Sequence, residues 1–126
     1  MGVDMHGKIA AASAAIFVID ELVAKPGQGQ TLFEAYMTRY VPGAEARGMV
    51  LLHRMVEPGF WLLDRSNRLL FIWTLKDAGA VWAKNFVSRE DPAVAEWWWK
   101  EAARLIESRR RSTLSEPAEI ERLCDV

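Results

Sequence analysis

Four side chains combine a reactive type with an unusual setting: His53, Asp20, Glu21 and Arg54. Each falls in a stretch that reads as a β-strand. A neutral imidazole at His53, facing a cavity, is a general base toward an acidic phenol or enol. Its structural alternative is a half-buried histidine bonded to a neighbour, since no second histidine or acid has a fixed spacing to it. Asp20 and Glu21 are carboxylates in an otherwise apolar run. A buried carboxylate must be paired or have a raised pKa. Arg54 is the partner expected for one of them, giving either a structural ion pair or a substrate-facing acid. Adjacent strand residues point to opposite faces, so Asp20 and Glu21 do not share one. Trp73, Trp61, Trp82 and Phe71 are candidates for the flat wall of a pocket for an aromatic or polycyclic ligand, with Trp73 first. Most such rings are core.

Other chemistries find no support in the residues. The two histidines, His6 and His53, are far apart and no carboxylates cluster, so neither a metal site nor a cofactor is expected. Pro26-Gly27-Gln28-Gly29 lacks the spacing and following lysine of a phosphate loop. A formal net charge of -1 with interspersed signs excludes a broad nucleic-acid surface. The run Arg109-Arg110-Arg111 reads as the end of a helix, satisfying its dipole. Cys124 is the single cysteine, so no disulfide forms within the chain.

Ala12-Ser13-Ala14 resembles a signal-cleavage site, but the bulky residues Ile16 to Ile19 follow it rather than precede it. Met1-Gly2 begins like a myristoylation signal, but His6 stands where Ser or Thr is needed. No run approaches the ~20 apolar residues of a membrane span. These points give the expectation of a cytoplasmic protein without membrane association.

The elements that position these groups follow from periodicity. At 126 residues the chain is expected to form one domain over 15–120, with a loose arm at 1–14 and a tail at 121–126. The first strand spans Ala15 to Ala24, with Ile16, Val18, Asp20 and Leu22 on one face and Phe17, Ile19, Glu21 and Val23 on the other. Thr31 and Glu34 match a capping box opening a helix whose apolar face carries Leu32, Phe33, Tyr36, Met37 and Tyr40. Pro42-Gly43 breaks or kinks that helix, and Gly48 stops it. A second strand runs from Met49 to about Glu57 and resumes after Pro58-Gly59 through Leu63. Asp64 to Asn67 turn into a third strand, Arg68 to Lys76. Asp77 caps a short helix bearing Val81, Trp82 and Phe86. Asp91-Pro92 opens a longer helix to about Arg109. Its apolar stripe includes Trp98, Leu105 and Ile106, whereas Trp97 falls among polar residues, where it lies flat on the surface or packs on a partner or cavity mouth. Ser112 to Ile120 ends the chain as an edge strand or arm, because Pro117 interrupts it.

The order strand, helix, strand, strand, helix, strand is the α+β, ferredoxin-like βαββαβ arrangement, an antiparallel sheet with both helices on one face. The second and third strands are apolar on both sides, and an uncovered apolar face exceeds what a monomer usually exposes. The expected cover is the same face of a second copy, giving a homodimer.

At this level the chain resembles the dimeric α+β barrel superfamily, most nearly the NIPSNAP-like and antibiotic-biosynthesis-monooxygenase-like proteins. The resemblance rests on the Gly-containing turn before the first helix, Pro42 in its tail, the strand Asn67 to Trp73 leading into a helix at Asp77, then Trp82, Phe86, Asp91-Pro92 and Trp97-Trp98-Trp99. It implies a dimeric barrel, but the superfamily is functionally mixed. Haem-degrading members carry an axial histidine on the helix after the third strand; Ala78 to Val87 contains none. The expected function is a homodimer binding a small hydrophobic or aromatic ligand at Trp73, Trp61, Arg54, Phe71 and Trp97. The alternative is a cofactor-independent oxygenase, isomerase or cyclase acting on a polyketide-like or aromatic substrate, with His53 as base beside Glu21 or Asp20.

Overall fold

The run Ile16–Ala24, rich in β-branched and other apolar residues, forms the central strand β1, whose even-numbered side chains are buried and whose odd-numbered ones are half-buried. The computed structural model describes residues 16–75 and 96–117. Helix α1 (Gly29–Ala35) follows, continues through a π-helical turn at Tyr36–Tyr40, and ends as α2 (Val41–Ala46). Strands β2 (Val50–Glu57) and β3 (Arg68–Leu75) come next, and β4 (Ile106–Ser115) closes the described chain. The sheet order is β2-β3-β1-β4, and all three pairings are antiparallel. This is the strand order of a ferredoxin-like α+β sheet with the helices on one face.

The capping box expected at Thr31 and Glu34 does not form. The helix begins two residues earlier, at Gly29, with no side-chain cap, and Thr31 lies inside it. Gly29 is placed there by Asn67: a Cβ at Gly29 would sit 2.5 Å from the Asn67 Oδ1. Only glycine lets the helix start so close to that side chain.

Pro42 is accommodated rather than breaking the helix. Proline supplies no N–H and crowds the carbonyl one turn back. The helix absorbs this by widening: the Val41 N–H donates to the Tyr36 carbonyl, five residues earlier. The wide turn places Tyr36 and Tyr40 on the same buried side, with ring centroids 5.0 Å apart. The helix stops at Gly48, whose φ is +94°.

The strand expected to resume at Phe60 to Leu63 is a loop. Asn67 is fully buried and organises it. Its Oδ1 accepts from the Leu62 N–H at 3.0 Å, and its Nδ2 donates to the carbonyls of Glu57 and Phe60 at 3.3 and 2.9 Å. Three backbone groups of 57–62 are thus met by one amide, and the Phe60 N–H donates to the Pro58 carbonyl at 2.7 Å. The peptide before Pro58 is cis.

The end of the chain differs most from expectation. The helix containing Trp97–Glu101 and Ala102–Arg104 stops at Leu105, short of the expected end at Arg109, and Arg109 to Arg111 lie in β4. Without β4, the outer edge of β1 would be an unpaired row of N–H and C=O groups. β4 pairs with it from Ile16↔Ser115 to Ala24↔Ile106. The expected helices around Val81, Trp82 and Phe86 and at Asp91-Pro92, the arm at 1–14 and the tail at 121–126 lie outside the described residues.

The core sits between the inner sheet face and the helices. Leu22, Leu69, Phe71, Trp73, Leu75, Leu32 and Tyr36 are fully buried there. Phe71 and Tyr36 stack with centroids 3.7 Å apart and 15° between planes. Among the described residues, no helix is long and apolar enough to cross a membrane.

Candidate functional site

Strand register decides which of the candidate residues meet. Cross-strand partners share a face. On the inner face, Arg54, Phe71, Asp20 and Arg111 form one row across the four strands. The next rows are Val56, Leu69, Leu22 and Arg109 on one side, and Leu51, Trp73, Val18 and Thr113 on the other. On the outer face, His53, Ile72, Ile19 and Ser112 form a row, beside Met55, Leu70, Glu21 and Arg110. A register shift between Leu51 and His53 puts the histidine on that side.

Asp20 is therefore bound by Arg111, and the expected pairing with Arg54 is not made. Arg54 shares the row but lies two strands away with Phe71 between, roughly twice the ~4.8 Å strand spacing. Arg111 is the direct neighbour. Its Nε donates to the Asp20 Oδ1 at 2.6 Å and its Nη2 to the Oδ2 at 2.7 Å. Glu21, on the other face, accepts from Arg68 Nη2 at 2.9 Å, and Arg68 Nη1 donates to Glu57 at 3.1 Å. The hydrogen bond that Arg68 donates to Glu21, then the one it donates to Glu57, raises the Arg68 pKa.

The Asp20–Arg111 pair is the centre of a buried chain of polar groups. Trp73 Nε1 donates to the Tyr36 hydroxyl at 2.8 Å, and that hydroxyl donates to Asp20 Oδ2 at 2.7 Å. Arg111 Nη2 also donates to the Tyr40 hydroxyl at 2.8 Å. Burial lowers the Arg111 pKa, but the hydrogen bonds and charge of Asp20 outweigh it, and the net shift is upward. Trp73 is thus a core residue with a polar tip rather than a cavity wall, and Phe71 is fully buried beneath Tyr36. Trp61 is half-buried against Phe33, with centroids 5.8 Å apart.

Tyr36 has a pKa raised well above its ordinary value, first by burial and then by the charge and hydrogen bond of Asp20. The folded state therefore favours the neutral phenol. Its contribution is complete below about pH 10, where an unfolded tyrosine titrates, and is lost as pH rises from there toward the folded pKa. The urea midpoint should fall above about pH 10, and Tyr36→Phe, although less stable at neutral pH, should show a flatter alkaline limb. Equal alkaline slopes in the two proteins would assign the effect to another group.

Trp97 is buried, not spread on the surface as one alternative held. The helix carries another wide turn from this residue: the Ala102 N–H donates to the Trp97 carbonyl, five residues back. Trp97 lines a shallow cleft of about 350 Å³ with Ala35, Arg39, Glu101, Arg104 and Leu105. Arg39 donates to Glu101 at 2.8 Å across this cleft. Among the described residues, Trp97 Nε1 and the Nε and Nη2 of Arg47 are buried without hydrogen-bond partners.

The members of this polar and aromatic cluster that the sequence did not single out as candidates are Trp98, Arg109, Arg111, Tyr36 and Tyr40. The Trp98 ring touches Tyr40, with centroids 5.3 Å apart, and carries the Arg109 guanidinium 3.7 Å from its own centroid. Arg111 lies 5.8 Å from the same ring. The only signal was the Arg109-Arg110-Arg111 run, which marks alternating faces of a strand once β4 is recognised. His53 is exposed on the outer face, opposite Trp73 and Asp20. The structure does not bring His53, Asp20 and Trp73 together around one cavity.

An antiparallel sheet in the order β2-β3-β1-β4 with its helices on one side defines a ferredoxin-like α+β protein. More narrowly, the fold is that of NIPSNAP-domain proteins. An uncharacterized NIPSNAP domain protein from Burkholderia xenovorans superposes with a TM-score of 0.61 at 14% identity, over 82% of this chain and 95% of that one. A NIPSNAP family protein of unknown function from Agrobacterium tumefaciens gives 0.63 at 11% identity, over 82% and 88%. A second from the same organism gives 0.54 at 16%, over 78% and 90%. No protein-family model matches the sequence, and no curated protein does so either.

Proposed function

We infer that the protein works as a homodimer, paired through the outer faces of its sheets, that binds a small hydrophobic or aromatic ligand on the helix side of each sheet. The observation that carries this reading is the outer face itself. Its rows include Phe17, Ile19, Leu70 and Ile72, and no described element covers them. Val50, Met55 and Leu114 on that face are 45–49% exposed. A contiguous apolar surface of this kind is characteristic of an association site. The face is self-complementary in the sense a two-fold axis needs, with apolar rows at one end and the Glu21, Arg68 and Glu57 ion pairs at the other.

The ligand half of the reading is supported by the aromatic cluster of Tyr40, Trp98 and Trp97 under the helices, with arginines at its edge. Sedimentation equilibrium tests the dimer. The expected mass is twice the 14.3 kDa of the chain at micromolar concentration. A single-chain mass at all concentrations would remove the proposed pairing.

A further inference from the structure

We propose that Arg109 is a binding residue for a small organic anion, a carboxylate or an enolate with two equivalent oxygens. The proposal rests on the ligand-binding reading above and adds the charge and the anchoring residue.

The first observation is a charge count on the inner face. Arg109 and Arg111 are two residues apart on β4 and point to the same side. Between them stands one carboxylate, Asp20, and Arg111 takes both of its oxygens. Arg111 is further held by the Tyr40 hydroxyl. Arg109 makes no ion pair or hydrogen bond among the described residues. Among the described residues the Arg109 charge is therefore uncompensated, and Arg47, 5.9 Å from the Tyr40 centroid, adds a second unpaired cation beside the cluster.

The second observation is how Arg109 is held. Its guanidinium carbon lies 3.7 Å from the Trp98 centroid, at van der Waals contact with the ring face. Trp98 is itself buried, packed against Tyr40 and Trp97. A guanidinium held on an aromatic face keeps its N–H donors in its own plane, and none of them is consumed by the ring. The side chain is pre-positioned and unspent. That is the geometry suited to a planar two-oxygen anion, which accepts two parallel N–H bonds.

The surroundings agree. Partial burial, and then the neighbouring Arg111 charge, lower the Arg109 pKa; the Arg111 contribution is a like-charge repulsion that a bound anion would relieve. A lysine would be a point charge, whereas a guanidinium fork selects shape as well as sign. A neutral aromatic molecule would leave the excess charge in place.

The test compares 2-naphthoate with 2-naphthamide, which share a ring system and differ in charge, by isothermal titration calorimetry on the full chain. Naphthoate should bind wild type at least about ten-fold more tightly, the scale of one charge-assisted hydrogen bond. In Arg109→Gln the gap should close, with naphthamide affinity unchanged. Arg109→Lys keeps the charge and should recover only part of the gap, because the fork is lost; it also guards against a folding defect in the glutamine variant. Equal affinities in wild type, or a gap that survives Arg109→Gln, overturn the role of Arg109 and leave the ligand-binding reading standing. Binding of neither compound at millimolar concentration overturns both.

Discussion

Asp20→Ala should destabilise the protein by about 3–5 kcal/mol, because it leaves the Arg111 charge beneath the helices with its partner gone. Asp20 is 1% exposed, and the Arg111 side chain is only 22% exposed. Four hydrogen bonds converge on or extend from this pair, from Tyr36 and Arg111 to Asp20 and from Arg111 to Tyr40. Removing the carboxylate strands the Tyr36 hydroxyl as well as the guanidinium, and each unsatisfied buried donor adds its own desolvation penalty. The double variant Asp20→Ala/Arg111→Met should recover a large part of the loss. A buried pair replaced by apolar groups on both sides is often close to neutral, whereas a broken pair is not. Urea unfolding at one fixed protein concentration measures all three proteins, since association would otherwise shift the midpoints. A cost below about 1 kcal/mol for Asp20→Ala, the range of an exposed ion pair, would mean that water reaches the pair.

That pair also shows where the sequence is readable and where it is not. Short apolar runs bounded by turn residues mark β1 and β3, and the two-residue period of a strand assigns their faces, so both strands and the unusual setting of Asp20 are legible directly. The identity of its partner is not local. Arg54 and Arg111 are both arginines on strands, and only the position of β4 beside β1 distinguishes them. β4 itself has no apolar alternation to announce it: Glu107 to Thr113 is entirely polar. It forms because β1 needs an edge partner and because Asp20 needs a cation, both tertiary demands that override local preference. The same holds for Phe60 to Leu63, whose apolar run imitates a strand. One side chain, Asn67, captures the surrounding backbone groups instead. The two π-helical turns are equally silent in the sequence. Pro42 gives a reason for the first, but Trp97 moves from the polar side of a helical wheel into the core with no residue that marks the change.

Ile72→Glu should abolish the proposed dimer while leaving the single chain folded. Ile72 lies in the row His53, Ile72, Ile19 and Ser112, away from the ion pairs at the far end of the outer face. In the lone chain this position is half-buried on an uncovered surface, so a glutamate there reaches water and far-UV circular dichroism should be retained. In a two-fold pairing of outer faces the same glutamate would be buried, and symmetry places one from each copy in the same interface. Burying even one unpaired charge costs several kcal/mol, so the dissociation constant should rise by about 1000-fold or more. Glu57→Gln, at the charged end of the face and exposed, is the matched control and should change association little. Sedimentation of the two variants separates the cases. A dimer that survives Ile72→Glu with unchanged affinity would place the interface elsewhere. Loss of the dimer in both variants would put the ion-paired end, rather than the apolar rows, at the centre of the contact.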